Sequence, residues 1–236
     1  MEEINEKVTL LIDESYDNNF CGVCVVAVQG DKNLEILRDQ IRQMAIDPML
    51  NAYNKSGIFH YSDNGISGRQ ALATWISRMP ISAYIALSTT NVPDLKGERD
   101  NIVYRSFLPQ ILKLLRMKYT KRAGDISFAI KFENLSNKSN SDLVFFKEIV
   151  GKIPSCRDTE VNVVTKDKEP LTFLPDYFLG FIRDHLTKQY SKEGAHATWP
   201  TDSLKLLSGK IGLILQCDET RIKHYGRGKQ VTDFLT

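Results

Sequence analysis

The sequence predicts an α/β protein built on a mixed central sheet. Three observations predict it. Two apolar, β-favouring runs, residues 7–12 and 20–28, flank a polar segment and read as an antiparallel pair. From residue 81 onward, strand-like and helix-like stretches alternate, which implies parallel crossovers. A hairpin joined to parallel units gives a mixed sheet. Finally, acids close two of the predicted strands: Asp13 follows residues 8–12, and Glu133 follows residues 126–132.

In chain order, residues 13–19 read as a loop between the first two strands. Leu34, Ile36, Leu37, Ile41 and Met44 keep a helical rhythm that ends near Pro48. Residues 58–61 form a short β-like stretch, with a turn at 62–65. Ser67 or Gly68 opens a helix through Leu72, Trp75 and Ile76, which stops at Met79-Pro80. Residues 81–87 read as a strand and 88–101 as a loop. Tyr104, Phe107, Leu108, Ile111, Leu112 and Leu115 recur at helical spacing, interrupted by Pro109. Either the regular helix begins there or the helix is kinked.

Residues 126–132 are a strand, and a helix follows through Leu143, Phe146 and Ile149, with Gly151 as its C-cap. Residues 160–164 are a strand. The loop 165–170 leads to a helix near Pro175, with Phe178, Phe181, Ile182 and His185 on one side. Beyond residue 190 the pattern weakens. Residues 1–190 therefore read as the main domain and 191–236 as a C-terminal extension packed on its core.

Composition narrows the class. The chain is 42% hydrophobic and 25% charged over 236 residues, which is ordinary for a globular protein. No apolar run reaches membrane-spanning length, and Met1-Glu2-Glu3 is no basic signal-peptide start, so the expectation is a soluble, cytoplasmic protein without a membrane partner. Cys21 and Cys24 have C-x-x-C spacing but fall in a strand-like run, where residues three apart face opposite ways. They read as buried thiols, as no second pair completes a zinc ribbon. The net charge is only +2, but bases cluster. Lys113, Arg116, Lys118, Lys121 and Arg122 form one group, and Arg221, Lys223, Arg227 and Lys229 another, around His224 and Tyr225. Lys121, Arg122, Arg221, Lys223 and Arg227 are candidate contacts to a nucleic-acid backbone. The first group also suits a solvated helix C-terminus.

Three acids sit at comparable places. Asp13 and Glu133 end strands, and Asp176 lies in the first turn of a helix after a strand. Ligands of open α/β sheets gather outside the carboxyl ends of parallel strands. If the strands of Asp13 and Glu133 are parallel, the two acids meet at one edge and Asp176 leans over them. Gly180, one turn further, lets that helix approach the sheet closely. Clustered carboxylates repel unless a cation joins them, and oxygen donors suit Mg²⁺ or Mn²⁺. The alternative is three unrelated surface acids. Glu14 is a fourth candidate, but it faces away from Asp13 if the strand continues.

Ile12-Asp13-Glu14-Ser15 resembles the Ile-Asp-Glu-Ser-Gly signature that opens a bacterial and phage family of unknown function, expected to have a ribonuclease H-like fold. Later marks of that family also have counterparts. His60 resembles its His in a β-like stretch before a helix. Residues 128–133 resemble its strand ending in an acid, and residues 171–180 resemble its Leu-Gln-x-Ala-Asp-x-x-x-Gly motif, with Asp176 as the acid. Tyr16 stands where the family has Gly, and Pro175 where it has Ala. The resemblance spans residues 8–190. It implies a ribonuclease H-like mixed sheet with helices on both faces, and Asp13, Glu133 and Asp176 as ligands of Mg²⁺ or Mn²⁺. It also implies a place near mobile elements and defence genes, with a role against foreign nucleic acid.

Among other candidates, His60 is either a general acid/base that also orients phosphate or a structural histidine. His185 reads as a core residue. Ser15 lacks any nucleophile context, and neither a P-loop nor a dinucleotide fingerprint is present. The expectation is a metal-dependent nuclease acting on DNA or RNA, alone or with a partner protein of a defence or mobile-element system. Asp13, Glu133 and Asp176 are its ligands, with His60 and Glu14 as further catalytic candidates. The alternative is a non-catalytic nucleic-acid-binding or assembly module that keeps the fold.

Overall fold

The structure is a computed structural model that describes residues 6–51, 58–90, 92–123, 126–134, 139–153, 159–187, 198–218 and 221–235. At its centre lies β1 (Glu6–Asp17), with Val8, Leu10, Leu11 and Ile12 all buried. A strand apolar on both faces needs cover on both. Alternation sends Leu11 into one core and Val8, Leu10 and Ile12 into the other.

β2 (Phe20–Gln29) pairs antiparallel with β1 down to Asp17↔Phe20, so the hairpin turn is only Asn18 and Asn19. The expected loop 13–19 is therefore mostly strand. The apolar run of β2 supplies ladder partners to Asp13 (Cys24) through Asp17, and two asparagines suit a two-residue turn. Cys21 and Cys24 are buried on opposite faces, as the strand reading requires.

On its other side β1 pairs parallel with β4 (Ile126–Glu133), which pairs parallel with β5 (Glu160–Val164). β3 (Ser82–Ser88) lies antiparallel to β2. The order β5-β4-β1-β2-β3 makes a mixed α/β sheet consistent with a ribonuclease H-like fold. The C-terminal segment does more than pack on this core. β6 (Ile211–Asp218) joins β3 in parallel, and β7 (Arg221–Gly226) closes the edge, giving a seven-stranded sheet. The run holding Ile211, Ile214 and Leu215 buries its side chains in both cores, so it is a strand of the sheet itself. Charged, exposed β7 guards the edge against further pairing.

One face of the sheet carries α1 (Asp31–Ile46), α3 (Ile66–Ile76), α7 (Phe173–Thr187), α8 (Trp199–Leu207) and α9 (Lys229–Phe234). The other carries α5 (Leu108–Ala123) and α6 (Ser139–Gly151). α2 (Pro48–Asn51) is a single turn, and α4 (Lys96–Asp100) stands in the expected loop 88–101. A π-helical stretch, Asn101–Phe107, runs directly into α5. Leu108 N–H reaches back five residues to Val103, and this wider turn accommodates Pro109, which has no N–H to give. Among the described residues no helix is long and apolar enough to cross a membrane.

α7 is buried nearly all round, from Phe173 to Asp184, because it lies between the sheet and an outer layer. Part of that layer is the segment 58–64, whose residues 58–61, expected as a short strand, are irregular, with turn geometry from Tyr61 to Asp63 close to the expected turn. Instead of a ladder it has α7. Phe59 packs on Phe173, and the Tyr61 ring stands edge-on to Tyr177 and Phe181. Tyr61 O–H donates to Asp184, whose carboxylate also accepts from Arg69 at 3.1 Å. Gly180 serves this contact rather than the expected approach to the sheet: a Cβ there would lie 2.3 Å from the Tyr61 ring.

Gly180→Ala should therefore destabilise by about 1–3 kcal/mol through overpacking, although Ala is the better helix former. Gly97→Ala in α4, where a Cβ meets nothing within 4 Å, should be neutral or stabilising by up to about 1 kcal/mol. Thermal unfolding of the two variants distinguishes them; equal melting points would refute the close-packing account.

Candidate active site

The register Ile12↔Phe132 sets Asp13, inside β1 just past the end of its parallel ladder, beside Glu133 at the carboxyl end of β4. Alternation points both to the α7 face, since Asp13 follows Leu11 and Glu133 follows Lys131 by two. Asp176 descends on them from the first turn of α7. His60 arrives on the irregular segment 58–64, held in place by three backbone links. Tyr61 N–H donates to Asp176 Oδ2 at 3.0 Å, Tyr177 O–H donates to the His60 carbonyl at 3.3 Å, and Arg69 Nε donates to the Tyr61 carbonyl at 3.0 Å.

A fifth residue lies at the centre. Lys166 lies two residues past the end of β5, in a turn closed by Lys168 N–H and Glu169 N–H donating to the Thr165 carbonyl. Its Nζ lies 3.1 Å from Glu133 Oε2, 3.2 Å from Asp176 Oδ2 and 2.9 Å from His60 Nδ1. His60 Nδ1 is also 3.6 Å from Asp176 Oδ2. Lys166 is buried, which for a lysine requires paired charge. Sequence reasoning missed it because it looked for ligands and not for their counterion. The available signal was a lysine two residues past the end of a third parallel strand.

The charges do not balance. Asp13 is pushed well above the carboxylate range by burial and by Glu14, Glu133 and Asp176, with Lys166 opposing. Burial would raise Asp176 too, but the His60 ring, the Lys166 ammonium and the Tyr61 N–H hold it below its ordinary value. Burial would lower Lys166, and Asp176, Asp13 and Glu133 raise it. Glu133 Oε2 is buried and faces Lys166 without a well-aligned hydrogen bond.

These carboxylates supply oxygen donors of the kind that hold Mg²⁺ or Mn²⁺. Among the described residues, however, no three His, Cys, Asp or Glu side chains form a ready-made metal cage. The under-satisfied Glu133 oxygen and the strained Asp13 charge fit a further cation. Such an ion would be held by Asp13, Glu133 and Asp176, with the Lys166 ammonium yielding its place.

Glu14 is on the opposite face, where Tyr104 O–H donates to it. Tyr16, on that face too, donates to Asp100 at 2.7 Å and ties β1 to α4. Ser15 returns to the α7 face and accepts from Arg183 at 3.2 Å. His185 is half-buried and bonded to Thr201 at 2.8 Å, and burial lowers its pKa. Arg221, Lys223 and Arg227 stand on or just past β7. Three strands separate β7 from β1, so these bases lie roughly 19 Å from the carboxylates. The side chains of Lys121 and Arg122, and all of Cys156, lie outside the described residues.

The opposite-face position of Glu14 has a measurable effect. Burial, chiefly, raises it from 4.5 to about 7 against the Tyr104 hydrogen bond. The folded protein thus keeps a proton that the unfolded chain releases, and stability is lost as pH rises from 4.5 towards 7. Glu14→Gln should change little near pH 5 and stabilise above pH 7 by an amount on the order of 1–3 kcal/mol. Urea unfolding in EDTA at both pH values checks this. A pH-independent difference would contradict it.

No family model matches the chain, and no curated protein matches it, so its chemistry rests on these side chains.

Proposed function

We propose that the protein is a divalent-metal-dependent nuclease that hydrolyses phosphodiester bonds of DNA or RNA. One observation carries this reading: Glu133 and Asp176, from β4 and α7, share the Lys166 ammonium where the parallel ladder of β1 and β4 ends, and a third buried acid, Asp13 of β1, is close enough to feel their repulsion. Asp13, Glu133 and Asp176 would hold Mg²⁺ or Mn²⁺. Bound there, such ions activate water and stabilise charge on the phosphoryl oxygens. Lys166 keeps the carboxylates together without an ion, and its charge stays within reach of an anionic substrate. His60, with its side chain 37% exposed, is the member of the cluster that can exchange a proton with solvent or a leaving oxygen. The family resemblance of residues 8–190 supports the same reading, and extends it to defence against foreign nucleic acid with a partner protein.

A second reading is favoured by one arrangement: the Lys166 ammonium already lies within ion-pair distance of both Glu133 and Asp176. In that case the lysine is a permanent counterion, and the fold serves as a non-catalytic nucleic-acid-binding or assembly module.

Incubation with DNA and RNA in Mg²⁺, Mn²⁺ or EDTA tests the proposal. Cleavage should require a divalent ion and should vanish in Asp13→Asn and in Asp176→Asn. Stability separates the two variants. Asp13 is a repelled charge, so Asp13→Asn should melt as high as wild type or higher in EDTA. Asp176 is a stabilised charge, so Asp176→Asn should melt lower. Lys166→Ala should lose about 3–5 kcal/mol in EDTA, the usual cost of stranding buried charge, and regain part of it with Mg²⁺. Binding without cleavage in every condition, with no Mg²⁺ effect on Lys166→Ala, would establish the second reading instead.

A further inference from the structure

A groove of about 520 Å³ lies on the same face of the sheet, directly beside the carboxylates. Its floor is β1, β4 and β5 and its wall is α1. Lys131 and Asn162, register partners on the floor, sit one row before Glu133 and Val164. Two residues along a strand is about 7 Å, so the groove leads straight to Glu133.

The end nearest the carboxylates is basic by construction. The Glu169 carboxylate is buried, and it accepts from Lys131 Nζ and, at 3.3 Å, from Arg38 Nη2. One carboxylate between two cations leaves a net positive charge. It also fixes both cations at the groove, and Arg38 remains 44% exposed. Lys168 adds an exposed ammonium at the same end. The far end has no such excess: Lys7 pairs with Glu160 at 3.4 Å, and Asp31 stands beside them.

We propose that this groove binds the sugar–phosphate backbone of single-stranded nucleic acid and leads it to the active site. The ligand class rests on the nuclease reading. The floor is three strands wide, about 10 Å between its outer axes, which seats one polynucleotide strand but is narrower than the roughly 12 Å major groove of a duplex alone. None of the lining residues is aromatic, so bases have nothing to stack on and recognition falls on phosphates. Binding is therefore independent of sequence. Arg38, Lys131 and Lys168, rather than the bases of β7, are the principal phosphate contacts.

The test is fluorescence anisotropy of a labelled single-stranded oligonucleotide in EDTA, over a range of salt. Variants are Arg38→Ala with Lys168→Glu, Lys168→Glu alone and Lys223→Glu. The single variant changes only an exposed side chain, so it reports even if the double variant does not fold. Wild type should bind. Both groove variants should bind more weakly, the double about tenfold or more, and the salt slope should fall by about 0.7 per lost phosphate contact. Lys223→Glu should bind as wild type does. Groove variants that bind like wild type, or loss of binding in Lys223→Glu alone, would overturn the proposal. Equal binding of a duplex, with the same dependence on Lys168, would overturn the single-strand assignment. Cleavage of the same oligonucleotide in Mn²⁺ is scored separately. Cleavage by wild type that groove variants leave unaffected sinks the groove but not the nuclease. Groove-dependent binding with no cleavage sinks the nuclease but not the groove.

Discussion

Negative charge brought together at the edge of a sheet is the constraint on which the rest depends. Asp13, Glu133 and Asp176 come from β1, β4 and α7, and burial raises the cost of keeping Asp13 and Asp176 ionised. A single ammonium, Lys166, keeps this arrangement tolerable. The compensation is uneven. Asp176, touched by Lys166 and by the Tyr61 N–H, is held in its charged form. Asp13 is not, and carries the strain of the cluster. A protein needing only a stable fold gains nothing from such a group, since apolar residues of similar size usually do as well or better. Acids brought together against their own repulsion are the kind of cluster that a functional site tolerates and a merely structural one avoids.

The scaffold exists to hold that charge still. Parallel pairing of β1 with β4 fixes Asp13 beside Glu133 through backbone bonds, which no side-chain rotation can undo. α7, buried nearly all round, fixes Asp176. The Tyr61 ring against Gly180, with its hydroxyl on Asp184 and its carbonyl on Arg69, brings an otherwise irregular segment and its His60 to the same point. Thus a contact one helical turn from Asp176 determines where the most exposed member of the site lies.

Much of this was legible in the sequence, because strand periodicity settles which side chains share a face. Glu133 at the end of β4 and Asp176 in a first helical turn required only patterning, and the expected parallel pairing brings Asp13 beside Glu133 even though β1 runs on to Asp17. Glu14 pointing away followed from the two-residue period. What stayed hidden was non-local. No local pattern shows that Lys166 turns inward, since a lysine after a strand usually faces water. The strand character of residues 13–17 depended on partners in β2. Residues 58–61 alternate like a strand, yet find α7 in place of a sheet edge. β6 and β7 looked like an appendage because their partner, β3, is more than a hundred residues earlier in the chain. The bases of β7 were conspicuous as a cluster, whereas Arg38, Lys131 and Lys168 are scattered in sequence and meet only in the folded groove.

The most direct measurement of the central claim is anomalous diffraction from crystals grown with Mn²⁺. The account requires a Mn²⁺ peak bonded to carboxylate oxygens of Asp13, Glu133 and Asp176 at about 2.1 Å. It also requires the Lys166 ammonium to have moved from its place between Glu133 and Asp176. A map with no peak at saturating Mn²⁺, and Lys166 still joining the two acids, would contradict it and leave the lysine as the only cation this site was built to hold.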